Sequence, residues 1–115
     1  MAADSLDEET LERFDRTREV RVGARRIPIW IVVVDGDAYV RSYRGARGRW
    51  YRRARERGRA VIEGIPVGVE PIDDAALDER ISAAYRAKYG ARSPRPTEAM
   101  VSPEVTATTL RLTRR

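Results

Sequence analysis

Ile27-Pro28-Ile29-Trp30-Ile31-Val32-Val33-Val34-Asp35-Gly36-Asp37-Ala38-Tyr39-Val40-Arg41-Ser42-Tyr43 is the stretch on which the fold turns. Ile27 to Val34 is apolar on both faces. That marks a strand covered on both sides and places it at the centre of a sheet. Pro28 falls near its start, where a missing N–H is tolerated. Asp35-Gly36-Asp37 reads as a hairpin turn, because glycine takes up positive φ at little cost. Ala38 to Tyr43 returns as an antiparallel strand, with Tyr39, Arg41 and Tyr43 on one face and Ala38, Val40 and Ser42 on the other.

Upstream, Glu19 to Ala24 alternates and reads as a half-buried strand. Before it, Ser5-Leu6-Asp7-Glu8 has the spacing of a capping box, which predicts a helix over 6–16. Downstream, Arg44-Gly45-Ala46-Arg47-Gly48-Arg49 reads as a basic loop, followed by a short helix over 50–57 that Gly58 stops. Ala60 to Glu70 is one bent strand or two short ones, broken at Gly64 and Pro66. Asp73 and Asp74 can cap a helix that runs to Tyr89 and ends at Gly90. Residues 91–103, with Pro94, Pro96 and Pro103, read as a Pro-rich loop, and 105–113 as a last strand. Hairpin connections imply an α+β fold: an antiparallel sheet curled into a small barrel, with helices outside. The 115 residues fit one domain, with an acidic helix over 1–18 and the barrel over 19–113.

The chain has no cysteine and no histidine. Disulfides, thiolate nucleophiles, His-based triads and the commonest metal ligands are therefore excluded, and no metal site is expected. No apolar run nears the roughly 20 residues of a membrane span, and the acidic N-terminus lacks a signal core, so a cytoplasmic chain with no membrane contact is expected. Of 23 basic residues, 22 are arginine and one is Lys88. Their placement is uneven: residues 1–20 carry a net −4, residues 21–60 a net +9 and residues 61–115 a net 0. The middle third should face an anion or an acidic surface.

Four groups of residues could carry chemistry. Arg41, Arg44, Arg47 and Arg49 surround Gly45 and Gly48. Guanidinium forks and close backbone approach suit a phosphate there; the alternative is a solvated loop paired to the acids of the first helix. Trp30, Tyr39, Tyr43, Trp50 and Tyr51 could stack on a flat ring, or simply pack in the core. Tyr85 and Tyr89, one turn apart, could wall a substrate pocket together with Trp30, or fill the core. The pairs Asp35/Asp37 and Asp73/Asp74 could be acid–base dyads, or a turn and a helix cap.

Pro28-Ile29-Trp30, Val34-Asp35-Gly36-Asp37, Tyr39-Val40-Arg41-Ser42 and Gly48-Arg49-Trp50-Tyr51-Arg52 form an ordered series. With Ala84-Tyr85-Arg86-Ala87-Lys88-Tyr89-Gly90 and Leu110-Arg111-Leu112, the series resembles a bacterial family of small proteins of unknown function. That family is similar to the flavin-binding split barrels, which include pyridoxamine-phosphate-oxidase-like proteins and deazaflavin-dependent nitroreductases. The resemblance implies a six-stranded antiparallel split β-barrel with two or three flanking helices, commonly a homodimer. It implies FMN or an 8-hydroxy-5-deazaflavin at the subunit boundary, used for oxidoreductase chemistry on a small molecule. Positions matching the cofactor elements are Arg25, Arg26, Pro28, Arg49, Trp50 and Tyr51; Arg41, Ser42, Tyr43, Arg44 and Gly45 complete the candidate cofactor site. Two alternatives stand beside it: a non-catalytic module whose basic patch 41–59 holds nucleic acid or an acidic partner, and a small-molecule pocket without redox chemistry.

Overall fold

The computed structural model describes residues 4–115. Helix α1 (Glu8–Arg16) is capped by Asp7, whose carboxylate accepts the Thr10 N–H at 2.8 Å. The capping box expected at Ser5 does not form. Leu6 is buried in the core, which draws Ser5 down onto the sheet. There the Ser5 hydroxyl donates to Asp37 at 2.6 Å and its backbone bridges to Thr113.

The strands are β1 (Val20–Val22), β2 (Ile27–Ile29), β3 (Val32–Val34), β4 (Asp37–Val40), β5 (Arg59–Ile62), β6 (Ile65–Pro71) and β7 (Leu110–Thr113). They form one antiparallel sheet in the order β2-β1-β5-β6-β7-β4-β3. Two of its hairpins are two-residue loops with positive φ at both positions: Asp35-Gly36 (50° and 83°) and Glu63-Gly64 (50° and 78°). That is the backbone twist that suits a tight antiparallel return. Helices α2 (Arg49–Arg57), α3 (Ala75–Tyr89), α4 (Pro94–Met100) and α5 (Pro103–Thr106) complete the α+β fold, and a 3-10 turn covers Gly45–Arg47.

Several expectations are corrected. The sheet has seven strands rather than six, it carries five α-helices rather than two or three, and it curls into a half-barrel instead of closing. The Pro-rich segment 91–103 is mostly helical. Pro94 and Pro103 each open a helix, where proline's fixed φ is suitable and its missing N–H costs nothing. The last strand is correspondingly shorter and starts at Leu110. Helix α3 does end at Tyr89 with Gly90 as its cap, but Gly90 lies in the right-handed helical region rather than the left-handed one, its N–H donating to the Arg86 carbonyl.

The largest correction concerns Ile27 to Val34. It is two strands, and they are the outermost strands of the sheet rather than its centre. Only Trp30 and Ile31 join β2 to β3, so the two edges stand within about 11 Å of each other along the chain. This short tether forces the sheet to curl. At the joint, the Ile31 N–H and C=O have no strand partner. Tyr89 of α3 takes the N–H onto its hydroxyl oxygen at 3.1 Å, and the Lys88 ammonium donates to the Ile31 carbonyl at 2.8 Å. Lys88 also donates to the Phe14 carbonyl at the end of α1, at 2.9 Å.

Two cores result. One fills the curl beneath α1 and α2 and holds Phe14, Val20, Ile31, Val40, Ile62, Leu110 and Leu112. The other lies between β3–β4 and α3–α5 and holds Val32, Tyr39, Ile81, Tyr85, Tyr89 and Met100. Strand β4 serves both, with Ala38 and Val40 in the first and Tyr39 in the second.

Burial lowers the Lys88 pKa to about 8, against the opposing charge of Asp15. Between that value and the ordinary 10.5 the unfolded chain holds the proton and the folded chain sheds it, so stability rises with pH. We expect the urea midpoint to increase between pH about 8 and about 9.5, below the tyrosine range. Neutral lysine keeps two N–H donors for its two carbonyls. In a Lys88→Met variant the midpoint should be flat across that interval relative to the parent, and a parallel rise in both proteins would refute the assignment.

Candidate functional site

Period-two alternation continues past β4 and carries Arg41 onto the face of the second core, behind Tyr39. Arg41 is 1 % exposed. Nε donates to Thr109 Oγ1 at 2.8 Å, one terminal nitrogen to Ser82 Oγ at 3.0 Å and the Met100 carbonyl at 3.1 Å, and the other to the carbonyl and carboxylate of Asp78, both at 3.2 Å. These five bonds use all five of arginine's donors. The ring of Tyr85 lies 5.2 Å from the guanidinium carbon. Burial lowers the Arg41 pKa, while Tyr85 and Asp78 act to raise it. An Arg41 whose donors are all taken has none left for a phosphate. It pins α3 and the end of α4 to the sheet.

The segment after Arg41 is shaped by that anchor. The Ser42 N–H donates to Thr108 Oγ1 at 2.8 Å, and the Ser42 hydroxyl to the Gly45 carbonyl at 2.7 Å. Gly45 turns with φ of 68° and is buried. Gly48 sits so close to the Ser42 hydroxyl that any Cβ would collide with it. The chain is thus drawn tight, and Arg44, Arg47 and Arg49 are thrown outward.

Between this segment and β2 lies a groove of about 760 Å³. Ile27 to Trp30 form one wall, Tyr43, Arg44, Arg47, Arg49 and Trp50 the other, and Pro96 and Met100 close an end. Trp30 stacks on Tyr89 with centroids 4.0 Å apart and rings 3° from parallel. Trp50 meets Tyr51 edge-on at 6.3 Å. Tyr43 is 60 % exposed. Among the described residues, Arg44, Arg47 and Arg49 make no ion pair. The acids of α1 do not neutralise them: the helix packs on β3 and β4.

Of the residues picked out from the sequence, Pro28, Trp30, Arg41, Ser42, Tyr43, Arg44, Arg47, Arg49 and Trp50 meet at this groove. Gly45 lies behind it. Tyr51 is buried in the first core, its hydroxyl accepting from Arg55 at 2.9 Å. Tyr85 and Tyr89 are buried in the second core and do not line the groove. Burial raises the pKa of both, that of Tyr89 to about 12. Asp35 and Asp37 take different partners, and Asp74 serves as a helix cap. Asp74 caps α3, accepting the Leu77 N–H at 3.1 Å, and Asp35 pairs with Arg80 at 3.1 Å. Asp37 joins Asp4 and Glu70 around Arg111, at 3.0, 2.7 and 3.2 Å. Ile27, Ile29, Pro96 and Met100 are wall residues that the sequence reading does not single out. Nothing local signals the last two, because the proline pattern of their helix is that of a loop.

Among the described residues no group of three or more acidic side chains is placed to hold a metal ion, and no helix is long and apolar enough to cross a membrane. Fold and groove together define a small α+β protein, a curled antiparallel half-barrel with a cationic, aromatic-lined cleft at one edge. Residues 10–112 match the family model described as an uncharacterized protein conserved in bacteria (DUF2255), and the chain belongs to that family. No curated protein and no solved structure matches it.

Proposed function

We propose that the groove between β2 and α2 binds a small molecule with a flat ring and an anionic group, of the FMN or 8-hydroxy-5-deazaflavin kind. One observation carries the reading: three arginines without carboxylate partners and three part-exposed aromatics, Trp30, Tyr43 and Trp50, border one cleft. Such a donor set fits a phosphate-bearing ring, because guanidiniums grip phosphate bidentately and aromatic faces orient a planar cofactor. When bound, the flavin would supply hydride chemistry, which asks for no histidine or cysteine. The chain's own residues would do the rest. Arg44, Arg47 and Arg49 hold the anionic end, and Trp50 or Trp30 fixes the plane of the ring. Apolar Ile27 and Ile29 exclude water from one side.

Fluorescence titration of FMN and of an 8-hydroxy-5-deazaflavin tests this directly. Micromolar binding is expected, and no binding of either at about 100 µM would sink the proposal. Trp50→Ala should weaken the ring's binding about 5- to 100-fold, the range of an aromatic stacking contact. Arg41→Lys should change affinity only as far as it loosens the fold.

A further inference from the structure

We infer a second site, adjoining the cleft and sharing Arg49 and Trp50 with it: the basin between α2, the β1–β2 turn and the β5–β6 hairpin binds single-stranded nucleic acid. The basin encloses about 570 Å³ and is rimmed by six arginines, Arg25, Arg49, Arg53, Arg57, Arg59 and Arg115, with no aspartate or glutamate among its lining residues. Among the described residues none of the six makes an ion pair. Elsewhere the same chain surrounds Arg111 with three carboxylates. The lining of this basin brings its arginines no carboxylate of that kind.

The spacing indicates a repeating anion. Arg49, Arg53 and Arg57 follow one another at four-residue intervals on one face of α2. Each interval advances about 6 Å, so the row spans about 12 Å. One phosphate cannot engage a row of that length and three further guanidiniums opposite it; a phosphodiester chain can. The floor decides between polyanions. It is apolar, made by Ala54, Ala60, Val61 and Pro66 with Trp50 as a wall, and Val61 is 43 % exposed. Unpaired bases can enter over this floor and stack on Trp50, which offers a sequence-tolerant gain. A duplex keeps its bases inside the stack, and a run of aspartate and glutamate brings no flat rings.

Fluorescence anisotropy with the full chain and a labelled strand of about 12 thymidines tests the inference. Engagement of about four arginines predicts a roughly fifty-fold loss of affinity from about 50 to about 200 mM salt. A duplex of equal length should bind at least about five-fold more weakly, and polyglutamate should not compete at matched charge. The double variant Arg53→Glu/Arg57→Glu changes two exposed side chains and should lose at least about thirty-fold at low salt. Arg92→Glu/Arg95→Glu makes the same charge change at two exposed positions outside the basin, and should lose less than about three-fold. Absence of binding, a duplex or polyglutamate held equally tightly, or equal losses in the two double variants would each overturn the inference. If the Glu pair disturbs the circular dichroism spectrum, Arg53→Gln/Arg57→Gln is read in its place by the same criterion. Flavin affinity is expected to be unchanged in the Arg53/Arg57 variants, so failure here is distinguishable from failure of the cleft proposal.

Discussion

Arg41→Met is expected to cost about 3–5 kcal/mol of folding stability, the range for removing one partner of a buried ion pair. Much of that cost would come from what is left behind. The Asp78 carboxylate, the Asp78 and Met100 carbonyls and the Ser82 and Thr109 hydroxyls lose the donor they share. Each stranded acceptor adds to the penalty. Methionine fills similar space, so the effect would read out polar bonding more than packing. Arg41→Lys should fall between the two proteins, because an ammonium has three donors and no planar fork. Urea unfolding by circular dichroism measures all three. A loss under about 1 kcal/mol for Arg41→Met would show that the network is not closed.

Leu112→Pro should have a larger effect still: the protein should not fold. Leu112 sits in β7, paired with Ala38 of β4 on one side and Val69 of β6 on the other. Proline removes a ladder N–H and crowds the pleat of a strand that has neighbours on both sides. It would also empty a fully buried leucine position of the first core. Typical domain stabilities of about 5–15 kcal/mol leave little to absorb this. The expected result is loss of the near-ultraviolet dichroism of Trp30 and Trp50 and no cooperative urea transition. A cooperative transition would mean that β7 is not needed to unite the sheet.

Local features of this fold are legible in the residues, while pairings across distance are not. Asp35-Gly36 announces its hairpin, and Gly58 ends α2 in the left-handed region with φ of 69°. The break at Trp30-Ile31 carries no such mark. It exists because Tyr89 and Lys88, more than fifty residues away, supply the hydrogen bonds that a strand would have supplied. Arg41 resembles a phosphate ligand in the sequence because arginine is rarely buried; its acceptors lie 37 to 68 positions along the chain. Prolines signal a loop only when the question of which residue opens a helix is set aside, and Pro94 and Pro103 are such openers. The cleft is legible on the side built from contiguous residues, Tyr43 to Trp50. Its closed end is not, since Pro96 and Met100 reach it from a helix that the proline count conceals.

The position of β7 between β6 and β4 has a consequence for synthesis of the chain. The β4–β7 ladder joins Val40 to Leu110, seventy residues apart. At about 5–20 residues per second, β4 would leave the ribosome several seconds before the strand that covers its open side. During that interval Val32–Val34 and Ala38–Val40 form a short apolar hairpin with a bare edge, the kind of surface on which nascent chains pair wrongly. A slow, chaperone-sensitive yield on expression would result from strand order alone.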